Sequence, residues 1–536
     1  MPGQNRTVRF VDLLCVNNIR AIAITNFVTK LSWTPLIAIA WFVALSPNDL
    51  AAQTAVREPY FGIQMVDDET GRGVPLVELR TVNQIFAISD SGGWVAFCEP
   101  ELMDRDVYFS IAAPGYEHAA DGFGNRGEML RATTGSSAVI RLKRTNVAER
   151  LYRVTGEGIY RDSALLGLPI PYEGKLANAL TLGQDSVQAV PYRGQIFWLW
   201  GDTNLAHYPL GNFHTTAATT PLPGQNGFDP SLAIPLTYFC DKSGQRVAQM
   251  SPDSQPGAVW LFGLLNVAGP DKSETLIAHY SRHLSLSEVA EQGLVRFNNE
   301  QSVFEKIARL DSHELWRFPR GNAVRVDDAN GNFFYFTESF ANTRVKADWD
   351  SVIDPQQYQA LAFDETTAAY VWQAKLPPTT QAQERELVRT GKMRPEQARY
   401  QLVDAASGSA VEMHRGSVQW NPFWKKWLLI GTQAGDAKAP SYLGEIWLST
   451  SDQPSGPWRT AIKIASHPNY SFYNPRQHLF FDSSDGRFIF FEGTFTRTFS
   501  AAPYAVPRYD YNQVMYRLDL SDERLKGLML ADDAKR

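Results

Sequence analysis

Residues 183–205, GQDSVQAVPYRGQIFWLWGDTNL, have the pattern of a β-hairpin. A short outgoing strand is predicted over residues 186–190. Residues 191–194, Pro-Tyr-Arg-Gly, supply a turn, in which glycine adopts the positive φ angles that other residues avoid. The return strand, residues 196–200, is almost wholly apolar and aromatic, as expected of a strand that is buried on both faces. The stretch therefore predicts a hairpin at the centre of a larger β-structure.

Two carboxylates flank this hairpin. Asp185 comes just before the outgoing strand, and Asp202 comes just after the return strand. Because the start of one strand and the end of the next are neighbours in an antiparallel hairpin, we expect the two side chains to lie close together.

The same pattern of short strand, polar turn and aromatic-rich strand recurs at residues 322–339, 416–433 and 478–495, with a weaker version from residue 258. Hairpins that cannot bury their own faces indicate radial or linear repetition, and counting the weak unit gives five blades if the repetition is radial. Residues 380–399 are polar and rich in helix-forming residues, which predicts a helical insertion at the surface.

Residues 57–145 have short strands separated by turns, a pattern typical of a β-sandwich. The predicted fold class is all-β, an N-terminal β-sandwich followed by a five-bladed β-propeller. The predicted boundaries are a signal peptide or anchor region at 1–56, the sandwich at 57–145, a linker at 146–182, the propeller at 183–522 with its helical insertion near 380–399, and a C-terminal tail at 523–536.

The amino-acid composition indicates which kinds of molecule the protein binds. Of 536 residues, 44% are hydrophobic and 20% charged, with a net charge of −6. The chain has no basic block, which argues against a nucleic-acid partner. Aromatic residues reach 12% and suit both packed sheets and sugar-binding surfaces. The three cysteines form no disulfide framework, and no motif predicts a metal site or a cofactor.

The N-terminus has the order of regions found in an export signal. Arg20 and Lys30 precede an apolar run over residues 35–45, and the small pair Ala51–Ala52 follows. We expect a secreted, periplasmic or cell-surface protein, which contacts a membrane only if this segment stays uncleaved.

In a propeller, the start of each first strand and the end of each second strand share one face. Polar residues at these points are predicted to converge on one opening, where convergent polar groups mark a candidate active site. They are Asp185, Asp202, Arg320, Asn322, Glu338, His414, Arg415, Gln477, His478 and Glu492.

Residues 184–204, QDSVQAVPYRGQIFWLWGDTN, resemble the first blade of five-bladed propeller glycosidases of the arabinanase, xylosidase and fructosidase type. The phrase STSDQPSGPW at 449–458 is similar to a blade ending in these enzymes, and WGDT is similar to a phrase in related bacterial propellers, some of which act on arabinans. Residues 57–145, with VDDETGRGVPLVEL and SDSGGWVAF, resemble the transthyretin-like sandwich of carboxypeptidase regulatory domains. The resemblance implies that Asp185 is the catalytic base and Glu338 the proton donor.

Two functions follow as hypotheses. In the first, the protein is an exported glycoside hydrolase that acts on a polysaccharide, with Asp185, Asp202 and Glu338 as catalytic residues. The Arg, Asn, Gln and His residues, together with Glu492, bind the substrate. In the second, the protein binds polysaccharide or assembles at the cell surface without catalysis.

Overall fold

The computed structural model describes residues 59–172, 179–212, 214–310, 314–329, 331–434, 442–468, 470–500 and 502–533. The predicted signal or anchor region lies outside these residues. Strands account for 46% of the structure and helices for 9%, so the protein is nearly all β. Residues Arg57–Arg536 form one compact unit. Within the described ranges, no helix is long and apolar enough to cross a membrane.

The first eight strands form two four-stranded sheets around one apolar core, with the orders β4-β1-β8-β6 and β3-β2-β5-β7. Alternating buried and exposed residues, as in β5, place one face of each strand in that core. The strands are β1 Phe61–Asp67, β2 Glu78–Thr81, β3 Phe86–Ile88, β4 Trp94–Phe97, β5 Asp106–Ala112, β6 Tyr116–Glu117, β7 Gly127–Arg131 and β8 Ser137–Arg144.

The next part of the chain contributes two complete sheets, β11-β12-β15-β16 and β17-β18-β19-β20, and a small one, β10-β13-β14. Its elements are β9 Glu149–Arg153, α1 Arg161–Leu165, β10 Thr181–Gln184, β11 Gln188–Tyr192, β12 Gln195–Trp200, β13 Thr203–Leu205, β14 Tyr208–Asn212, β15 Thr216–Pro221, β16 Thr237–Tyr238, β17 Ala258–Ala268, β18 Glu274–His283, β19 Val289–Asn298 and β20 Val303–Leu310.

Three further sheets have the orders β21-β22-β23-β24-β25, β27-β26-β31-β30-β29-β28 and β32-β33-β34-β9. The elements are β21 Asn322–Asp328, β22 Gly331–Thr337, β23 Ala341–Lys346, α2 Trp349–Ile353, β24 Gln359–Asp364, β25 Ala369–Gln373, α3 Gln381–Arg389, β26 Leu402–Asp404, β27 Ala410–Val411, β28 Met413–Asn421, β29 Lys426–Gln433, β30 Glu445–Ser451, β31 Thr460–Ser466, β32 Phe472–Gln477, β33 Phe488–Phe495, β34 Asn512–Asp519 and α4 Lys526–Asp533.

The hairpin predicted from residues 183–205 is present as β11 and β12, but its outgoing strand lies two residues later than the predicted 186–190 and its turn is shorter. Tyr192 pairs with Gln195, which leaves Arg193 and Gly194 as the two turn residues, with φ angles of 48° and 75°. Two consecutive positive φ angles define the type I′ turn that matches the twist of the flanking strands. Ser186, expected to begin the outgoing strand, lies with Asp185 in the break between β10 and β11.

The first strands of the five sheets form a closed ring of neighbours. β11 contacts β17, β17 contacts β21, β21 contacts β28, and β28 contacts β32. The ring closes because Asn474, in β32, donates a hydrogen bond from Nδ2 to Oγ of Ser186 at 2.8 Å, and Arg476 donates one to the carbonyl of Ala189. The polar ends of these strands are thereby brought around one axis.

The segment predicted as a linker supplies β9, the fourth strand of the last sheet. Val514 of β34 pairs with Arg153 of β9. Arg150, which is fully buried, donates hydrogen bonds to the carbonyls of Pro75 at 3.0 Å and Pro114 at 2.8 Å, in the loops that connect strands of the first two sheets. The predicted boundary after residue 145 therefore falls inside the compact unit.

The fifth repeat differs from its prediction. Residues 478–481, expected to begin the first strand, contain instead a 3₁₀-helix, Leu479–Phe481, and the inner strand is β32, six residues earlier. β32 contains a register shift between Tyr473 and Arg476, and Asn474 has a φ angle of 51°. The bulge accommodates Pro475, which cannot donate to a regular ladder.

The other repeats keep their predicted places. The weak second repeat is a regular sheet, whose first strand β17 has 11 residues. Helix α3 lies within the predicted insertion, and Thr380 caps it by accepting a hydrogen bond from the backbone N–H of Gln383.

Candidate active site

A cavity of about 450 Å³ opens where the first strands of the five sheets begin. Each sheet contributes to its lining, because the five strands start at the same end of the ring. Six of the ten residues proposed from the sequence line it: Asp185, Asp202, Arg320, Asn322, His414 and Arg415.

The backbone holds the two carboxylates of the cavity together. The N–H of Asp185 donates to the carbonyl of Asp202 at 3.2 Å, and the N–H of Gly201 donates to the carbonyl of Asp185 at 2.8 Å. The N–H of Asp202 also donates to Oδ1 of Asp185 at 2.9 Å. The expectation that these residues lie side by side therefore agrees with their geometry. We call them the acidic pair.

A side chain at position 201 would crowd the acidic pair. A Cβ atom built on Gly201 would lie 2.5 Å from Oδ1 of Asp185 and 3.4 Å from Cβ of Ser186. Ser186 has a φ angle of 55°, a left-handed conformation that is costly for a residue with a side chain. Backbone strain of this kind is typical of sites where side-chain direction matters.

Three aromatic side chains hold the acidic pair from the other side. Nε1 of Trp260 donates to Oδ1 of Asp202 at 2.9 Å, and the Tyr511 hydroxyl donates to Oδ2 of Asp202 at 3.4 Å. The Tyr473 hydroxyl lies 3.5 Å from Oδ2 of Asp185. These groups replace water around the carboxylates with fixed hydrogen-bond donors.

Burial and the mutual repulsion of the two carboxylates affect the pKa values of Asp185 and Asp202. Burial, reinforced by the negative charge of Asp185, raises the pKa of Asp202 to about 7. Burial also raises the pKa of Asp185, but the N–H of Asp202, the hydroxyls of Tyr511 and Ser186, and the charge of Arg415 lower it. Asp185 therefore has more partners that favour its ionised form, and Asp202 is the better proton carrier near neutral pH.

Arginine and histidine side chains line the side of the cavity formed by the third and fourth sheets. Burial lowers the pKa of His414 to about 4, with the charge of Arg415 adding to the effect, so this imidazole is neutral at pH 7. Arg320 stacks against Phe262, with 5.5 Å between the guanidinium carbon and the ring centre. We call Arg320 and Arg415 the arginine pair.

Aromatic rings form another part of the lining. Tyr442 and Tyr470 stack with their ring centres 5.5 Å apart and their planes at 11°, and Phe499 lies 5.7 Å from Tyr470. Trp260 packs against His283 at 4.3 Å. Flat apolar faces beside convergent polar groups are typical of small-molecule and sugar sites.

Glu338 lies beside the cavity rather than in its lining. Its side chain is 54% exposed, and its Oε1 is 3.8 Å from Nη2 of Arg415. The strand β22 ends at Thr337, so Glu338 points past the end of the sheet. The acid that the resemblance assigns as proton donor is therefore separated from the acidic pair.

Asn322 lines the cavity but is engaged by other strands. Its Nδ2 donates to the carbonyl of Gly416 at 3.0 Å, and its Oδ1 accepts from Nη1 of Arg476 at 2.7 Å. Gln188 adds a similar link, donating to the carbonyl of Leu261 at 3.0 Å. These hydrogen bonds link the inner strands of different sheets.

Gln477, His478 and Glu492 do not reach the cavity, which corrects their predicted placement. The inner strand of the fifth sheet ends at Gln477. Gln477 and His478 therefore lie at the far end of this strand and not at its start, which is the end that borders the cavity. Glu492 pairs in register with Arg476, and its Oε1 lies 2.7 Å from Nε2 of His478 in the buried interior. Burial raises the pKa of Glu492 to about 8 and lowers that of His478.

Several lining residues were not predicted from the sequence. Trp260 could have been found from the sequence. It lies near the start of the second repeat, as Ser186 and Val187 lie near the start of the first. Tyr473 was missed together with the register of β32. Tyr511 precedes β34 with a φ angle of 58°, and no local pattern marks it.

Within the described ranges, no group of three or more His, Cys, Asp or Glu side chains is arranged to hold a metal ion. Cys98 and Cys240 are both free and exposed.

No family model and no curated protein matches the chain. Among solved structures, an exo-β-1,3-galactanase from Phanerochaete chrysosporium with galactose matches at 9% identity and a TM-score of 0.34, covering 66% of this chain and 63% of that one. This chain thus spans less than two thirds of that protein. An α-L-arabinofuranosidase from Fusarium graminearum with an iminosugar inhibitor matches at 8% identity and a TM-score of 0.31, covering 70% of this chain and 99% of that one. An exo-1,5-α-L-arabinanase from a bovine ruminal metagenomic library matches at 10% identity and a TM-score of 0.32, covering 63% of this chain and 94% of that one.

Proposed function

We propose that the protein is a glycoside hydrolase whose reaction is carried by the acidic pair. Asp202 donates a proton to the leaving glycosidic oxygen, and Asp185, as the carboxylate, activates water or attacks the anomeric carbon. The observation that carries this proposal is the pairing of two carboxylates in one cavity, with the pKa of Asp202 raised to about 7.

The proposed substrate is a polysaccharide or oligosaccharide of plant, algal or microbial origin. The stacked rings of Tyr442 and Tyr470 support this choice, because they offer a flat surface to the C–H face of a sugar ring. The arginine pair and His414 supply polar partners for sugar substituents.

We further propose that the five sheets are the blades of a five-bladed propeller, and that the two N-terminal sheets are a transthyretin-like sandwich. The closed ring of inner strands supports the first assignment, and the single core between two four-stranded sheets supports the second. The charged-then-apolar order of residues 20–52 supports export.

A non-catalytic polysaccharide-binding protein is the second candidate. It is favoured by the position of Glu338, whose exposed side chain leaves the cavity without a carboxylate from the third sheet. In this case the acidic pair binds hydroxyl groups and does not transfer protons.

A polysaccharide screen with product analysis tests the two candidates against each other. On a substrate that the wild-type protein cleaves, Asp185→Asn and Asp202→Asn should each reduce kcat by about 10²–10⁴-fold, the usual contribution of a general acid or base. Asp68→Asn, at a carboxylate whose side chain is 60% exposed in the N-terminal sheets, is the matched control and should keep full activity.

Glu338→Gln separates the acidic pair from the acid assigned by resemblance. We expect this variant to stay within about tenfold of wild-type kcat, since Glu338 lies outside the lining. Near-full activity of folded Asp185→Asn would refute the catalytic assignment, and binding of glycans without any cleavage would favour the second candidate.

A further inference from the structure

The arginine pair has unused hydrogen-bonding capacity. Arg320 and Arg415 both line the cavity, and neither guanidinium donates a hydrogen bond to any residue in the described part of the chain. Arginine is usually fully engaged when it is partly buried, because its charged N–H groups lose water on burial. Two such groups lining one cavity leave several N–H donors available to a ligand.

Among the described residues, no carboxylate accepts a hydrogen bond from either guanidinium, although the charge of Arg415 acts on Asp185. Oε1 of Glu338 is 3.8 Å from Nη2 of Arg415, too far for a hydrogen bond. Its side chain is exposed, so its interaction with Arg415 is weakened by water. Asp202 is held instead by Trp260 and Tyr511, and Asp185 accepts a hydrogen bond from the N–H of Asp202.

A neutral imidazole lies in the same lining as the arginine pair. Nδ1 of His414 is buried without a hydrogen-bond partner among the described residues, and it can donate or accept according to its tautomer. Phe262 stacks on the Arg320 guanidinium and limits the directions in which it can point. The two guanidinium groups can thus present N–H groups to a ligand in the cavity.

We propose that the arginine pair is a subsite for an anionic substituent of the glycan, a carboxylate, sulfate or phosphate group. Guanidinium groups bind the oxygens of such anions through paired hydrogen bonds, whereas a neutral hydroxyl offers a single oxygen. This inference rests on the proposed function, because it names the substrate class of the same cavity. The acidic pair would act on the glycosidic bond of a sugar that the arginine pair holds by its charge.

Direct binding measurements test the subsite without requiring catalysis. The probes are trisaccharides of galactose, glucose and mannose that carry at C6 a carboxylate, a sulfate, a phosphate or a hydroxyl group. Titration calorimetry with the wild-type protein should show at least one anionic form binding at least tenfold more tightly than its neutral counterpart. The form that binds most tightly identifies the anion.

Arg320→Gln and Arg415→Gln should each weaken binding of that anionic form by about 10- to 100-fold, the loss expected for hydrogen bonds to a charged group. Both should weaken binding of the neutral form by a smaller factor, because a hydroxyl offers a guanidinium a single neutral oxygen. Arg131→Gln, whose side chain is 60% exposed in β7, is the matched control and should change neither. Thermal unfolding of all variants excludes loss of fold as the cause.

Equal binding of anionic and neutral forms, equal losses for both in the variants, or no binding of any anionic probe would overturn the subsite. Cleavage of a neutral glycan with no preference for anions would overturn it and leave the proposed hydrolase intact. Arginine-dependent binding of an anionic glycan that is never cleaved would support the subsite and contradict the hydrolase.

Discussion

At the scale of single residues, the acidic pair shows how one environment gives two carboxylates different chemistry. Both are desolvated by the cavity wall, yet Asp185 accepts the backbone N–H of Asp202, and Asp202 is left with the indole of Trp260 and the distant hydroxyl of Tyr511. The pKa of Asp202 rises to about 7 because burial and the charge of Asp185 act in the same direction. Proton donor and base are therefore distinguished by their contacts.

The raised pKa of Asp202 predicts a pH dependence of activity. Since the proposed acid must be protonated, kcat should decline as the pH rises through about 7. The pH profile of kcat on a cleaved glycan measures this. A profile that stays flat from pH 6 to about 9 would contradict the assignment of Asp202 as the acid.

The same shift predicts a pH dependence of stability. A carboxyl group whose pKa is higher in the folded state than in the unfolded state stabilises the fold at low pH, and that contribution is lost as the pH rises through the folded-state value. Calorimetric Tm values of wild type should therefore fall relative to those of Asp202→Asn as the pH rises from about 4 to about 7. A constant difference between the two proteins across this range would show that the pKa of Asp202 is unshifted.

At the scale of elements, the path between β10 and β11 decides where the acidic pair points. The chain leaves strand geometry at Asp185 and Ser186, and Gly201 lets the opposite strand pass against the carboxylate of Asp185. Gly201→Ala should displace that carboxylate, and a misplacement of about 1 Å costs about 100-fold in rate. Steady-state kinetics and Tm measure the two effects separately.

We expect Gly201→Ala to stay folded, because its new methyl group meets the end of a side chain and not the backbone. Gly122→Ala, at a position where an added Cβ meets nothing within 4 Å, is the matched control. If both variants had wild-type kcat, the close approach of Gly201 to Asp185 would have no role in the reaction.

Elements also show where prediction from the sequence succeeds and where it stops. The hairpin of β11 and β12 was predictable because its apolar run and its turn agree, and with it the adjacency of Asp185 and Asp202. The strand β32 was not, because its sequence, FYNPRQ, contains an Asn-Pro pair that argues against a strand. The apolar run Leu479–Phe481 beside it resembles a strand better, although it is a 3₁₀-helix.

That register error had consequences for the site. Because the predicted start of the fifth repeat is six residues too late, the prediction places Gln477 and His478 at the opening and omits Tyr473. Tyr511 could not be found at all, because its position depends on how the last sheet packs against the first. Contacts made between sheets are not encoded in the periodicity of either one.

At the scale of the whole molecule, one strand joins the parts that the sequence separates. β9 pairs with β34 in the last sheet, and Arg517 and Glu149 form an ion pair across it at 2.6 Å. Leu151 of β9 is fully buried in the same apolar cluster as Trp198 and Trp200 of the first sheet. The strand thus closes the ring between its last and first sheets, while Arg150 ties it to the N-terminal sheets.

Leu151→Ala should therefore weaken the whole unit and not one sheet. Removing a buried leucine side chain typically costs about 2–5 kcal/mol of unfolding free energy, whereas Leu376→Ala, at a leucine that is 59% exposed, should change it by no more than about 0.5 kcal/mol. Because β9 contacts both ends of the ring, tryptophan fluorescence and far-UV circular dichroism should report one coincident transition at a lower Tm. Separate transitions by the two probes would show that the ring opens at β9 before the remainder unfolds, and a shift no larger than that of Leu376→Ala would show that β9 does not hold the ring closed.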